Sequence, residues 1–452
     1  MTKPYGHALV MGASMGGLLA ARALSDHFAR VTILERDTLP TDESARAGVP
    51  QARHVHALLA RGYQTLETFF PGIGAALDVR GAINFRWGAD MKYLSTGGWV
   101  KQFDTGIASK LLSRSLLESE VRRRVLALPN VSAIERVDAD DLCFDDSGMR
   151  VTGAVIRARG TGTSETISAD LVIDASGRRS KLPEWLTAHG YAAPDEQAVL
   201  SRMGYATRLY RKPTHKTYLP LLFMVARPLE NLLRGGAIFE IEGGVWQVSL
   251  GGMNEDYPPT DAEGFIAYSK TLASPEFYEW IADAEPISEI HGYRVDGSRW
   301  RRYDKLTRHP AGLLPIADSI CGFNPLYGQG MTVAGMEAEG LSELLTTIAP
   351  TDPGFTAAYY RGATPVIETA WVLATGEDLR FAGTTGDRPD AMTRFAQRYI
   401  DLLIRSSIST DETVIRAFLK VGNMSASPTS LMTPAIMGRV LWNSLRMPRA
   451  TA

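Results

Sequence analysis

Residues 8–35 read ALVMGASMGGLLAARALSDHFARVTILE, and this stretch decides the fold. Ala8–Met11 is a short apolar run of strand character, and Gly12–Gly17 is a glycine-rich turn. Leu18–Phe28 spaces its apolar residues as a helix does, without proline, and Val31–Leu34 is a second apolar run ending at Glu35. The order strand, turn, helix, strand opens a parallel α/β sheet. The turn fits G-x-G-x-x-G except that Ser14 stands at the second glycine. Gly12 permits the tight turn, and Gly17 lets the helix pack close to the strand. Ser14, Met15 and Gly16 lead into a helix start whose free N–H groups and dipole attract phosphate. Glu35 lies 18 positions after Gly17, beside Arg36, where a carboxylate meets ribose hydroxyls and disfavours a ribose 2′-phosphate. The same residues also spell G-x-S-x-G, the nucleophile elbow of α/β-hydrolases. That elbow follows several earlier strands, and the eleven residues before Gly12 leave no room for them.

Further out, Asp37–Gln51 is polar and proline-bearing, a surface loop, and Val55–Phe70 has helical spacing ended by Pro71-Gly72. A basic helix is predicted over Leu111–Leu128, with Arg114 near its start. Strands are expected at Val131–Val137, Asp141–Phe144, Val151–Arg157 and Leu171–Asp174. Tyr205–Tyr210, Tyr218–Ala226, Ala237–Ile241 and Val245–Leu250 read as a separate, mainly β block with a hairpin at Glu242–Gly244. An apolar strand, Leu313–Ala317, then ends at Asp318. A loop, Asn324–Gly330, feeds a helix from Met331 to about Leu345. From about Thr356 the chain reads as helical.

The stretches Gly48–His54 (GVPQARH), Asp174–Arg178 (DASGR) and Asn324–Thr332 (NPLYGQGMT) together resemble the p-hydroxybenzoate hydroxylase and squalene epoxidase-like FAD-dependent monooxygenases. They look closest to the flavin epoxidases of polyketide and polyether biosynthesis. The likeness runs from about Gly6 to Leu345 and is strongest at the glycine loops. It implies a Rossmann-like FAD-binding domain built from non-contiguous segments, an inserted mainly β substrate domain and a helical C-terminal region. The corresponding expected division is 1–85, 105–182 and 296–350 for the FAD domain. Residues 86–104 and 183–295 would form the substrate domain, and 351–452 the C-terminal region. The resemblance assigns FAD to the first loop and Glu35, which alone do not separate FAD from NAD. It also assigns Asp318 to the ribityl chain, and Pro325, Gly328, Gln329, Gly330 and Met331 to the flavin pyrimidine side. Arg114, and the segment with Gln51, Arg53 and His54, would lie near the flavin, and Asp174 would belong to the cofactor site. Two positions depart from the family pattern. Ala317 replaces a glycine, and Ser176 replaces an aspartate that serves FAD and NAD(P)H binding, which puts direct nicotinamide use in doubt.

The activity implied is insertion of one oxygen atom from O2 through a C4a-hydroperoxyflavin, with epoxidation of an alkene in an apolar natural-product precursor first among the expectations. Aromatic hydroxylation, and reduction of a prenyl-type substrate without oxygen insertion, are the alternatives. NAD(P)H would supply electrons directly or through a partner flavin reductase. Such chemistry needs no catalytic triad or metal, and the chain has no H-E-x-x-H motif. The halogenase signature Trp-x-Trp-x-Ile-Pro is also absent. Tyr205, Phe223, Phe239, Trp246 and Met253 are candidate lining for a large apolar substrate.

Bulk properties agree with an enzyme of this kind. The 452 residues suffice for two or three structural units. A net charge of -2 gives no reason to expect nucleic acid as a partner. Two cysteines without a C-x-x-C pair suggest a reducing compartment. With no leader-like or bilayer-length apolar run, the expectation is a cytoplasmic protein. Weak membrane-surface contact through Leu431–Leu445 is a subsidiary reading.

Overall fold

The computed structural model describes residues 4–447 except 45, 47 and 231. The chain opens with β1 (Tyr5–Met11), α1 (Met15–Ser25) and β2 (Phe28–Glu35). α2 (Ala60–Phe69), β3 (Met91–Ser95) and α3 (Arg114–Leu126) follow, then β4 (Val131–Glu135) and β5 (Leu171–Asp174). Next come β6 (Met203–Arg211), β7 (Leu221–Met224), β8 (Arg234–Ile241) and β9 (Val245–Gly252). β10 (Leu313–Pro315) and α4 (Gly330–Leu344) return to the first region. α5 (Phe355–Asp378), α6 (Ala391–Ser407), α7 (Glu412–Gly422) and α8 (Pro434–Ser444) come last.

β1, β2, β4, β5 and β10 form one parallel sheet in the order β10-β5-β1-β2-β4. Leu9, Val10, Ile33, Val172 and Ile173 are almost without solvent contact, because helices cover the faces of a parallel sheet. β1 and β5 therefore point their C-terminal ends, at Met11 and Asp174, toward the same edge. Ligands of open α/β sheets bind outside that edge.

A second sheet, eight-stranded among the described residues, contains the antiparallel run β6-β9-β8-β7. Its side chains alternate. Ala206, Ile238, Trp246, Val248 and Leu250 pack with Phe265, Phe277 and Trp280 in a core under the helices Ala262–Ser269 and Glu276–Ile281. Odd-numbered Tyr205, Phe223, Phe239 and Ser249 face the opposite way. β3, from a much earlier part of the chain, adds parallel to β7, with Tyr93 opposite Phe223.

Several boundaries differ from the sequence reading, three of them instructively. Phe28 begins β2 rather than ending α1, because a turn at Asp26–His27 stops the helix. The helix expected over Val55–Phe70 starts only at Ala60. Pro50–Arg53 is a short 3-10 turn, and residues 54–59 run extended and lie along the ligand-facing wall. The expected strand Tyr218–Ala226 shortens to Leu221–Met224, after Pro220, which cannot donate to the ladder. Both cysteines are free thiols. No helix among the described residues is long and apolar enough to cross a membrane.

Candidate active site

The two sheets and the C-terminal helices line a partly open chamber of about 930 Å³. One end is built by backbone. β1 runs into Gly12, whose φ of +107° is open to glycine, and a Cβ there would sit 2.6 Å from the Ala175 carbonyl oxygen. A Cβ on Gly17 would collide with the Gly12 carbonyl oxygen, and one on Gly16 would press on the Ala317 methyl at 2.8 Å. These three glycines bring the start of α1 against the Asp174–Gly177 and Ala317–Asp318 turns. No side chain caps α1, so the N–H groups of its first turn lack a capping acceptor. Ser14 Oγ accepts from Arg114 Nη2 at 3.2 Å and reaches Glu118 Oε2 at 3.4 Å. This partner set contains no histidine base, so Ser14 is not arranged as a hydrolase nucleophile. Arg114 is 4% exposed and pairs with Glu118 at 2.8 Å, while its buried Nη1 has no hydrogen-bond partner among the described residues. An orphaned guanidinium N–H beside an uncapped helix start fits an anionic group such as a pyrophosphate.

The second backbone element is the start of α4. Gly328 has φ +66°, Gln329 gives no side-chain cap, and the buried Gln329 Oε1 and Thr332 Oγ1 have no hydrogen-bond partners among the described residues. Asp318 lines the chamber 3.7 Å from Arg178 Nε, and a Cβ on Gly330 would lie 3.9 Å from its Oδ1. Burial raises the Asp318 pKa, against the pull of Arg178 and Arg114. Ala317 sits at φ +57°, in the left-handed region that glycine enters freely and alanine enters at a cost of about 1–2 kcal/mol. Its N–H is held by Glu337 Oε2 at 2.8 Å, which fixes the turn presenting Asp318.

Ser14, Met15, Gly16, Arg36, Gln51, His54, Arg114, Asp318, Pro325, Gly328, Gln329, Gly330 and Met331 all line the chamber, as do Tyr205, Phe223, Phe239 and Met253. Gly12 and Gly17 shape the turn from behind. Glu35 is also behind the wall. Its oxygens accept from the Ala13 and Asp37 N–H groups, and Arg46 Nη1 lies 2.9 Å away. Arg46, in the loop read as polar surface, is 7% exposed and joins Glu35 to Glu118. No periodic signal marks such a residue.

Three expectations need correction. Arg53 is solvent-exposed, beside His291, and does not reach the chamber. Asp174 is fully buried and accepts from the Ser176 N–H and from the hydroxyls of Ser176 and Ser180, so it braces its own turn. Trp246 is also fully buried, stacked on Trp280 at 5.6 Å and edge-on to Tyr218 at 4.8 Å. It occupies an even position of β9 and therefore faces the core opposite the chamber, a consequence of strand parity.

At the far end the chamber is largely apolar. Met91 and Tyr93 of β3 contribute, with Tyr93 stacked on Phe223 at 5.3 Å. Tyr205 and Tyr293 flank the His54 ring. Burial, then the charges of His56, His291 and Arg53, lowers the His54 pKa to about 3, so the ring is neutral and bonds Thr207 Oγ1 through Nδ1 at 2.8 Å. The C-terminal helices close this end with Glu377, Ile404, Leu419 and the following Leu431 and Met432. These residues lie far from any motif, and sequence reading missed them. Among the described residues, no group of three or more His, Cys, Asp or Glu side chains is placed to hold a metal.

No protein-family model matches the chain. Among solved structures it is similar to a flavoprotein/dehydrogenase from Cytophaga hutchinsonii, with 15% identity, a TM-score of 0.68, and 97% of this chain and 96% of that one covered. It is similar to the flavin-dependent brominase Bmp2, with 15% identity and a TM-score of 0.64 over 97% and 99% of the two chains. It is also similar to pqsL of Pseudomonas aeruginosa, described as "a probable FAD-dependent monooxygenase", with 17% identity and a TM-score of 0.60 over 83% and 99%. These likenesses show the fold, a parallel α/β sheet with a second β-sheet and C-terminal helices. Protein Rv3254 of Mycobacterium tuberculosis (strain ATCC 25618 / H37Rv) is 33% identical over 457 residues, which span 98% of this chain and 95% of that protein. The chain belongs to the family of that mycobacterial protein.

Proposed function

We propose that this protein binds FAD and acts as a flavin-dependent monooxygenase on an apolar substrate. One observation carries the reading. The uncapped starts of α1 and α4 converge on one end of a chamber whose other end is walled by Met91, Phe223, Phe239 and Leu419. The first end suits a charged, phosphate-bearing cofactor, and the second suits a hydrophobic molecule.

The residues present fit FAD. The first-turn N–H groups of α1 and the spare Nη1 of Arg114 would hold the pyrophosphate. Asp318 would take the ribityl chain, while Glu35, behind the wall with both oxygens already accepting, would brace the turn that presents the first-turn N–H groups. The start of α4 would face the pyrimidine ring and stabilise negative charge there. FAD, when bound and reduced, supplies the electrons and the oxygen-transferring chemistry. The chain's own task is to hold the substrate near the ring and keep water away. Neutral His54, held by Thr207, lies in the chamber wall with Val55, His56, Ala57 and Leu59.

Epoxidation of an alkene in an apolar precursor is the reaction we favour. It needs orientation and dryness but no base, and the chamber-facing side chains Tyr205, Phe223, Phe239 and Met253 offer no base that titrates near neutrality. The second reading, hydroxylation of a phenolic ring, is favoured by a single observation, the Glu377 carboxylate in the chamber wall. Halogenation is not proposed, because the Trp-x-Trp-x-Ile-Pro signature is missing. The test is to photoreduce FAD-loaded protein, admit 18O2, and offer polyene and phenolic candidates. An alkene product carrying one 18O as an epoxide supports the reading. A hydroxylated phenol with alkenes untouched supports the second reading, and a reduced product without 18O contradicts both.

A further inference from the structure

Thr207 and Ser249 face each other in register across β6 and β9, on the side of the second sheet that carries Tyr205 and Phe239. They are a polar pair in a mainly apolar wall, and together they hold one ring. Thr207 Oγ1 lies 2.8 Å from His54 Nδ1 and 2.5 Å from Ser249 Oγ, and the Val55 N–H donates to Ser249 Oγ at 3.4 Å. Tyr205, edge-on at 4.6 Å, and Tyr293 at 5.7 Å confine the ring from its sides. His54 is 2% exposed and Thr207 is 1% exposed. His54 lines the chamber, yet its Nε2 makes no hydrogen bond to any described residue.

These contacts decide which ring nitrogen carries the proton. Burial keeps the ring neutral, and the charges of His56, His291 and Arg53 act the same way, so it has a single N–H. Ser249 already accepts from Val55. If Ser249 donates to Thr207, and Thr207 to Nδ1, both hydroxyl protons are used inside the wall, and the one donor left over is Nε2–H. If Nδ1 donates instead, Thr207 passes its proton to Ser249. The Ser249 O–H then has no acceptor among the described residues, and Nε2 has no donor. The first arrangement leaves fewer buried groups unmet. It presents one N–H to the chamber from a fixed ring, and a hydrogen-bond acceptor completes it.

We infer that the His54 Nε2–H is a recognition site for a carbonyl oxygen of the substrate, which is therefore an alkene or aromatic compound bearing a carbonyl group rather than a bare hydrocarbon. Thr207 and Ser249 are positioning residues that fix the tautomer. The inference rests on the chamber being the substrate site, as proposed above.

Two measurements test it. Protein labelled with 15N-histidine, before and after FAD is added, should show a protonated Nε2 and an unprotonated Nδ1 for His54, whose signals are assigned by their loss in His54→Phe. The reverse pattern would overturn the inference. In calorimetric titration, the FAD-loaded wild type should bind 1-acetylnaphthalene about tenfold more tightly than 1-ethylnaphthalene. His54→Phe should bring the two within about twofold without changing FAD affinity, and Thr207→Val should weaken the ketone about threefold, with Thr207→Ser restoring it. An undiminished ketone preference in both His54→Phe and Thr207→Val would overturn the inference. So would lost FAD affinity in His54→Phe with the preference intact, which would give the N–H to the flavin instead. Failure of both compounds to bind the FAD-loaded wild type would remove the chamber as the substrate site, and the inference with it. Absence of bound FAD in the same samples would instead count against the flavin reading.

Discussion

The two ends of the chamber are made by different means. The end proposed for the cofactor is made of backbone: Gly12, Gly16 and Gly17 set the approach of α1, Gly328 that of α4, and helix starts supply the N–H groups. The substrate end is made of side chains from β3, β6 to β9, and the C-terminal helices, gathered from residues 91 to 432. Backbone devices tolerate few residue types at each position, so substitution there should be all or nothing. Side-chain walls are redundant, and each substitution should act by degrees.

Gly17→Val breaks the comparison at its sharpest point. The added side chain meets the Gly12 carbonyl with no room to yield, so the variant should lose about 3 kcal/mol or more of stability and bind no FAD. Thermal denaturation and flavin content measure both. Normal values for either would mean that the turn is not built as described. Asp318→Ala should be milder, leaving the fold intact while weakening FAD about ten- to hundredfold. Unchanged FAD affinity by equilibrium dialysis would remove Asp318 from the cofactor site. At the other end, Phe223→Ala should leave FAD binding untouched and weaken 1-ethylnaphthalene binding severalfold through lost apolar contact. A parallel loss of FAD would show that the two ends are not separable.

Two predictions concern the buried histidines and the electron supply. His54 and His56 have pKa values lowered to about 3 and 4, mainly by burial, against 6.5 in an unfolded chain. Between those limits the unfolded chain takes up protons that the folded chain refuses. Their stabilising contribution is therefore complete above about pH 6.5 and is lost as the pH falls, by up to about 1.4 kcal/mol per pH unit for each ring. His54→Gln should flatten the dependence of melting temperature on pH between 4 and 6.5, and an identical slope would contradict the burial argument. Ser176 stands where the resemblance drawn from the sequence expects an aspartate that serves nicotinamide binding. Reduction by NADPH alone should accordingly be slow in anaerobic stopped flow and quicken when a flavin reductase is added. Rapid, saturable bleaching by NADPH alone would overturn that expectation.

The division between backbone and side chain also explains what could be read in advance. The parallel sheet, its two glycine turns and Asp318 were legible because each is encoded within a few consecutive residues. Phe223 and Phe239 were legible as strand residues, but their facing depends on register. Trp246 shows the limit: hydrophobicity alone placed it in the chamber, whereas parity with Phe239 across β8 and β9 puts it in the opposite core. Arg53 and Asp174 stand inside recognisable motifs, yet one points to solvent and the other is consumed by its own turn. Arg46, Tyr93 and Glu377 carry no local signature, because their roles arise from segments that meet only in the folded chain.

The central claim is the cofactor. Purified protein, incubated with FAD and freed of excess ligand, should show the flavin absorbance spectrum at about one FAD per chain and release FAD rather than FMN on denaturation. Protein that stays colourless after that incubation, while remaining folded, would contradict the account.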